Sequence, residues 1–163
     1  MVIILMGVSG SGKTTVGRLL ARALGWQFYE GDDFHPPANI EKMQQGRPLT
    51  DDDRRPWLAA LRAVIDRCSA QGTNAVLGCS ALKQSYRDYL IRDHPEVTLV
   101  YLKGSYDLLS QRLAQRQGHF MPRDLLTSQF ATLEEPQQGV IVDVANAPAV
   151  LVAEIRQALQ LQV

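Results

Sequence analysis

The sequence predicts an α/β fold, a parallel sheet carrying helices on both of its faces. Three observations lead there. Short runs rich in Val, Ile and Leu alternate with longer segments of helical period. The runs are apolar throughout, as strands buried on both faces are. Gly or Pro punctuates most of the junctions. With 163 residues, 45% apolar and 21% charged, the chain suits one domain spanning 1–163 with a sizeable core.

The first strand is Val2–Met6. Lys13–Leu24 follows as a helix with Val16, Leu19, Leu20 and Leu24 on one side, and Gly25 stops it. Gln27–Glu30 is a shorter second strand. His35-Pro36-Pro37 breaks the chain, and since proline suits an early helical position, Ala38–Gln45 is expected as a short helix ended by Gly46. Thr50, with Asp53 three residues on, makes a capping-box pattern. The helix it opens sets Trp57, Leu61, Val64, Ile65 and Cys68 on one face, which makes Trp57 a core residue. Asn74–Cys79 is the third strand. Ala81–Arg92 is expected to be helical, with Leu82, Tyr86, Tyr89 and Leu90 spaced to meet a core. Val97–Leu102 is the fourth strand and Tyr106–Gln117 the next helix. Between Pro122 and Pro136 helical character is weak; Val140–Val144 is a fifth strand, and Pro148–Leu161, introduced by Asn146, a closing helix.

Composition removes several classes of function. Lys plus Arg equals Asp plus Glu, 17 against 17, so the broad positive field of a nucleic-acid binder is lacking. No stretch approaches the ~18 apolar residues of a membrane span. The run opening the chain, MVIILMG, has no basic leader or cleavage site and reads as a strand rather than a signal peptide. Cys68 and Cys79 lie too far apart for a short metal or redox motif, and each sits in an apolar run, as buried thiols of a reducing compartment do. The expectation is a cytoplasmic protein without nucleic-acid or membrane partners.

Ligands of parallel sheets bind beyond the carboxyl ends of the strands, so the loops at 7–14, 30–36, 78–83 and 103–105 should share one rim. The first carries Gly7-Val8-Ser9-Gly10-Ser11-Gly12-Lys13-Thr14, matching G-x-x-x-x-G-K-[ST] at every required position between a strand and a helix. Glycines let the backbone wrap tightly and turn its N–H groups toward phosphate oxygens, and the helix N-terminus adds positive potential. Lys13 would reach the outer phosphates, Thr14 would ligate magnesium, and Thr15 extends the nucleotide contact. Kinases, GTPase switches and mechanical ATPases all use this loop. No guanine-reading N-K-x-D element is present, and the strand ends at Cys79 and Leu102 lack the Asp of a usual magnesium-holding strand.

The second strand runs into Glu30-Gly31-Asp32-Asp33-Phe34-His35. A kinase for a hydroxyl acceptor needs a carboxylate to orient that hydroxyl and take its proton. Strand-end geometry favours Asp32 as the base, with Glu30 or Asp33 nearer the metal; the competing reading is a solvated acidic turn. At the third strand's end Ser80 is expected to cap a helix whose first turns carry Lys83 and Arg87 on one face, suited to a carboxylate or phosphate. Arg112 and Arg116, again four apart and followed by Gly118, suit a mobile lid, about residues 118–136, closing over ATP. Arg116 is placed nearer the transferring phosphoryl group. His35 and His119 are candidate substrate contacts, His94 beside Pro95 reads as a surface turn residue, and the charge run Thr50–Arg55 reads as a helix start.

Taken together, GVSGSGKT, EGDDFHPPANIEKMQQGRPLTDDDRRPW, CSALKQSYRDYL, YLKG, RQGHF and SQFATLEEP closely resemble the gluconokinase family, in its order, over about residues 3–136. The resemblance implies a three-layer P-loop NTPase fold of the nucleoside-monophosphate-kinase-like kind, with a five-stranded parallel sheet and a lid. It implies transfer of the ATP γ-phosphoryl group to the 6-hydroxyl of D-gluconate with Mg2+, and a homodimer. The family's nucleotide loop falls on Gly7–Thr14, its acidic strand end on Asp32 and Asp33, its C-S-A-L-K element on Cys79–Lys83, and its R-x-G-H-F motif on Arg116–Phe120. Glu30 stands where members often carry Asp. The alternatives are a kinase for another hydroxy acid such as shikimate, or a nucleotide-binding switch. Against shikimate stands Gly78-Cys79-Ser80-Ala81, where shikimate kinases usually have a glycine-rich turn.

Overall fold

The computed structural model describes residues 1–115 and 123–162. In chain order it contains β1 (Val2–Met6), α1 (Lys13–Leu24), β2 (Gln27–Glu30), a 3₁₀ turn (Gly31–Phe34), α2 (Pro37–Gln44), α3 (Asp51–Gln71), β3 (Ala75–Gly78) and α4 (Gln84–Ile91). Then come β4 (Val97–Lys103), α5 (Tyr106–Gln115), α6 (Arg123–Thr132), β5 (Val140–Asp143) and α7 (Pro148–Ala158). The five strands form one sheet in the order β2-β3-β1-β4-β5, every pair parallel. The expected α/β class and parallel sheet are therefore present.

Strand β1 lies at the centre and is buried along its whole length, which is why its residues are apolar without alternation. Val2, Ile4 and Met6 point to a layer built with Trp57, Leu61 and Ile65 of α3 and Leu90 of α4. Ile3 and Leu5 point to the other layer, built with Val16 and Leu20 of α1 and Leu151 and Ile155 of α7. Of the residues expected to face these cores, Leu19 and Tyr89 are instead exposed, at the edges of their helices' apolar stripes.

Helix α3 begins as its sequence requires. Thr50 accepts from the Asp53 backbone N–H at 3.1 Å, and the Asp53 carboxylate accepts from the Thr50 N–H at 2.9 Å. Asp53 also takes a hydrogen bond from Lys42 Nζ at 2.7 Å, and these partners hold its carboxyl down at about 2. Helix α7 starts from Ala147 without a side-chain cap, so Asn146 does not open it.

The start of α4 differs from expectation. Residues 81–83 are not helical: Ala81 has φ +45°, Lys83 is the N-cap, and Ser80 caps nothing. The cause is Arg87, which donates to the carbonyls of Ala81 at 2.8 Å, Leu82 at 3.1 Å and Glu134 at 2.7 Å. Those carbonyls are held away from helical bonding, and the segment stays open at the sheet's rim. Among the described residues no helix is long and apolar enough to cross a membrane.

Candidate active site

All strands run the same way, so the loop after β1 and the turn after β2 emerge on one edge, separated only by β3. Gly31 makes their close approach feasible: a Cβ there would lie 2.3 Å from the Gly78 carbonyl at the end of β3. Trp57 fixes the turn from below, donating from Nε1 to the Gly31 carbonyl at 2.8 Å.

In the loop, Gly10 and Gly12 take left-handed φ values of +81° and +95°, and Gly12 serves as N-cap of α1 without a side-chain partner. The first turn of α1 contains no acidic residue, so its free N–H groups keep their positive potential. Ser11 Oγ is buried with no hydrogen-bond partner among the described residues, and a Cβ at Gly7 would come within 2.6 Å of it. An orphaned hydroxyl in a cradle that only glycine leaves open fits a polyphosphate. Lys13 arches back over the loop, donating to the carbonyls of Gly7 at 2.8 Å and Val8 at 3.1 Å. The Thr14 hydroxyl donates to the Glu30 carboxylate. That pairing brings together two hard oxygen donors beside the loop, a set that suits magnesium.

Two cavities flank the loop. One, of about 350 Å³, is lined by Gly10, Gly12, Thr15, Arg112 and Asn146, and Arg112 is held there by donating to the Val144 carbonyl. The other is lined by Ser9, Lys13, Asp32, His35, Arg54 and Ser80, with Trp57, Leu82, Ser128 and Gln129 also on its wall. The phosphate loop and the acidic turn therefore share this second cavity. A more spacious cleft, about 1050 Å³, lies between α4 and the segment 134–139 and contains no residue of either loop.

His35 is buried and stacked on Trp57, ring centroids 4.4 Å apart and planes 10° from parallel. Burial pushes its pKa down to about 4; Asp32 opposes that shift, and Arg54 adds to it. Its tautomer follows from its neighbour. Asn39 Nδ2 donates to the Asp53 carbonyl at 2.8 Å, which fixes the amide's orientation. The same nitrogen then faces His35 Nδ1 at 3.2 Å, so Nδ1 accepts and the proton sits on Nε2. Nε2 lies 4.0 Å from the Asp32 carboxylate, whose side chain is 55% exposed. An oxygen hydrogen-bonded at about 2.8 Å to both groups would make an angle near 90° between them, so an acceptor hydroxyl fits there.

Other expected site residues are placed differently. Arg87 is buried at 2% exposure and spent on backbone carbonyls, so it does not face the cavity. Lys83 pairs with Asp51 at 2.9 Å and does not line it. Asp33 is exposed and lies outside its wall. Arg116 and His119 lie outside the described residues. Sequence reasoning missed Arg54 and Gln129. Arg54 sits within a charge run that reads as a helix start, and Gln129 lies 120 residues from Ser9, whose N–H it accepts at 2.8 Å. Cys79 lies just past the end of β3, fully buried; burial pushes its thiol up to about 12, so it stays protonated.

The AAA domain family model matches residues 2–136. A probable gluconokinase of Xenopus tropicalis is 48% identical over 95% of this chain and 91% of its own length. The gluconokinase of Gluconobacter oxydans is 54% identical over 82% of this chain and 75% of its own. A gluconokinase structure from Sinorhizobium meliloti superposes with a TM-score of 0.86 at 49% identity, covering 97% of this chain and 90% of that one. The shikimate kinase of Aquifex aeolicus, at 18% identity and TM-score 0.62, shares the fold alone. With a phosphate loop and an acidic turn opening on one cavity, and relatives alike over three quarters or more of their length, this chain belongs to the gluconokinase family of P-loop kinases.

Proposed function

We propose that the protein transfers the γ-phosphoryl group of ATP to the 6-hydroxyl of D-gluconate, giving 6-phospho-D-gluconate. The observation that carries this reading is the shared cavity: Lys13 of the phosphate loop and Asp32 of the acidic turn line the same space. The gluconokinase relatives supply the acceptor's identity.

The 350 Å³ cavity beside the loop takes the nucleoside, with Arg112 on its wall. The loop amides and Lys13 bind the phosphates. Asp32 orients the acceptor hydroxyl and takes its proton, while neutral His35 donates from Nε2 to the same oxygen. Thr14 and Glu30 would hold Mg2+. Bound there, the ion neutralises charge on the phosphate oxygens.

Helix α6 acts as the lid in this reading. It closes on the loop through Gln129, which accepts from Ser9 N–H and donates to Ser9 Oγ at 3.2 Å. With α6 in this position the acceptor cavity holds only about 50 Å³, room for one or two waters. A six-carbon acid enters when the helix swings away, and its return excludes water from the transfer.

The test is ADP release over a panel of sugar acids and other hydroxy acids, shikimate included. ADP production that depends on D-gluconate and is weak with shikimate supports the proposal. Equal turnover across the panel, whatever acceptor is added, defeats it.

A further inference from the structure

Resting on that reading of the site, we propose that Arg54 is the receptor for the acceptor's carboxylate, the residue that makes the cavity select an acid over a neutral polyol. Arg54 stands in the first turn of α3, amid three carboxylates that would ordinarily neutralise it. Each is engaged elsewhere. Asp51 accepts from Lys83 at 2.9 Å and from the Tyr86 hydroxyl. Asp52 pairs with Arg55 at 3.3 Å. Asp53 pairs with Lys42 at 2.7 Å and closes the capping box. Among the described residues no carboxylate lies within ion-pair distance of Arg54.

The guanidinium is nevertheless held in place. Nη1 donates to the Leu49 carbonyl at 2.8 Å and to the Tyr86 hydroxyl at 3.2 Å, and the group lies 5.5 Å from the Tyr86 ring centroid. Among the described residues Nη2 and Nε have no hydrogen-bond acceptor. The side chain lines the cavity that holds Lys13 and Asp32, beside the apolar surfaces of Met43, Leu49 and Trp57. A fixed, half-buried cation with one anchored edge and one open edge, set in partly apolar walls, is built for a planar anion taken through two N–H groups. An aldonic acid carries such an anion at one end and its primary hydroxyl at the other. Seating the carboxylate on Arg54 leaves the hydroxyl end to Asp32 and Lys13.

The experiment compares D-gluconate with D-gluconamide, in which a neutral amide replaces the carboxylate, in the wild type and in Arg54→Gln and Arg54→Lys. Acceptor affinities come from KM for gluconate and from competitive inhibition by the amide. The wild type is expected to prefer gluconate by about 10- to 100-fold, the worth of a charge-assisted pair. In Arg54→Gln the preference should fall to within about 3-fold, with KM for ATP unchanged and the folded fraction matching the wild type. Arg54→Lys should fall between. A preference retained in Arg54→Gln, an equal loss for both ligands, or a wild type that does not discriminate overturns the assignment. Wild-type failure to turn over any sugar acid defeats the kinase reading itself, and that is seen without the variants.

Discussion

The imidazole of His35 lies flat on Trp57 with Asn39 holding its Nδ1, whereas His94 stands between two carboxylates, Asp66 at 2.7 Å from Nε2 and Glu96 at 2.8 Å from Nδ1. Both rings are buried, and their surroundings shift their pKa values in opposite directions. Burial lowers His35 from its ordinary 6.5 to about 4. The hydrogen bond to the Asp66 carboxylate raises His94, against the opposing effect of burial. With a carboxylate facing each nitrogen, the protonated ring can donate from both and so clamp α3 to the turn before β4. Because His94's folded pKa exceeds 6.5, the stability it contributes is complete below 6.5 and is lost as pH rises through the raised value. His35 has the opposite sign: its contribution is present above 6.5 and is lost as pH falls toward about 4. An NMR titration, assigned with His35→Gln and His94→Gln, should find one ring neutral to about pH 4 with its proton on Nε2, and another still charged above 6.5. Two rings titrating together near 6.5 would contradict both assignments.

At the scale of elements, α4 shows how a long-range contact sets a helix boundary. Arg87 lies inside α4, yet its guanidinium ties the residues before the helix to Glu134, 47 residues on. In Arg87→Met the carbonyls of Ala81 and Glu134 lose this donor, at about 1–3 kcal/mol each. Urea denaturation should show a loss of about 2–6 kcal/mol, and a variant within about 0.5 kcal/mol of the wild type would show that the tie is idle. This also marks what the sequence could tell. The strand, loop and helix from Val2 to Leu24 are legible because every signal there is local: an apolar run, glycines at fixed offsets, a glycine stop. The capping box of α3 is legible for the same reason. The start of α4 is not, since Ser80 and the Lys83/Arg87 spacing look like a capped basic face until Glu134 is brought across. His94 beside Pro95 looks like a surface turn until Asp66 arrives from α3. Arg54 escapes notice because its run of neighbouring acids suggests pairing with it, whereas Asp52 pairs with Arg55 in the same helix and Asp51 and Asp53 are taken by Lys83 and Lys42 from other elements.

At the scale of the molecule, a parallel sheet places its chemistry by topology. Strand β3 inserts between β1 and β2, so the phosphate loop and the acidic turn stand two strands apart on one edge, with the open segment after β3 between them. The loop's Gly7 N–H bonds to the Ser80 carbonyl of that segment at 3.4 Å, and Gly31 lets the acidic turn press against it. Helix α6 then covers the junction. Nothing in this arrangement depends on net charge, which is zero; the site's potential comes from the bare N-terminus of α1, Lys13 and Arg54 against Asp32. The central claim is that Asp32 and the phosphate loop act on one acceptor hydroxyl in one cavity. Steady-state turnover of Asp32→Asn with gluconate, alongside its ATP affinity, tests this most directly. In Asp32→Asn kcat should fall by about 10²–10⁴-fold with ATP binding within about 3-fold of the wild type; near-normal turnover would show that Asp32 is not the base.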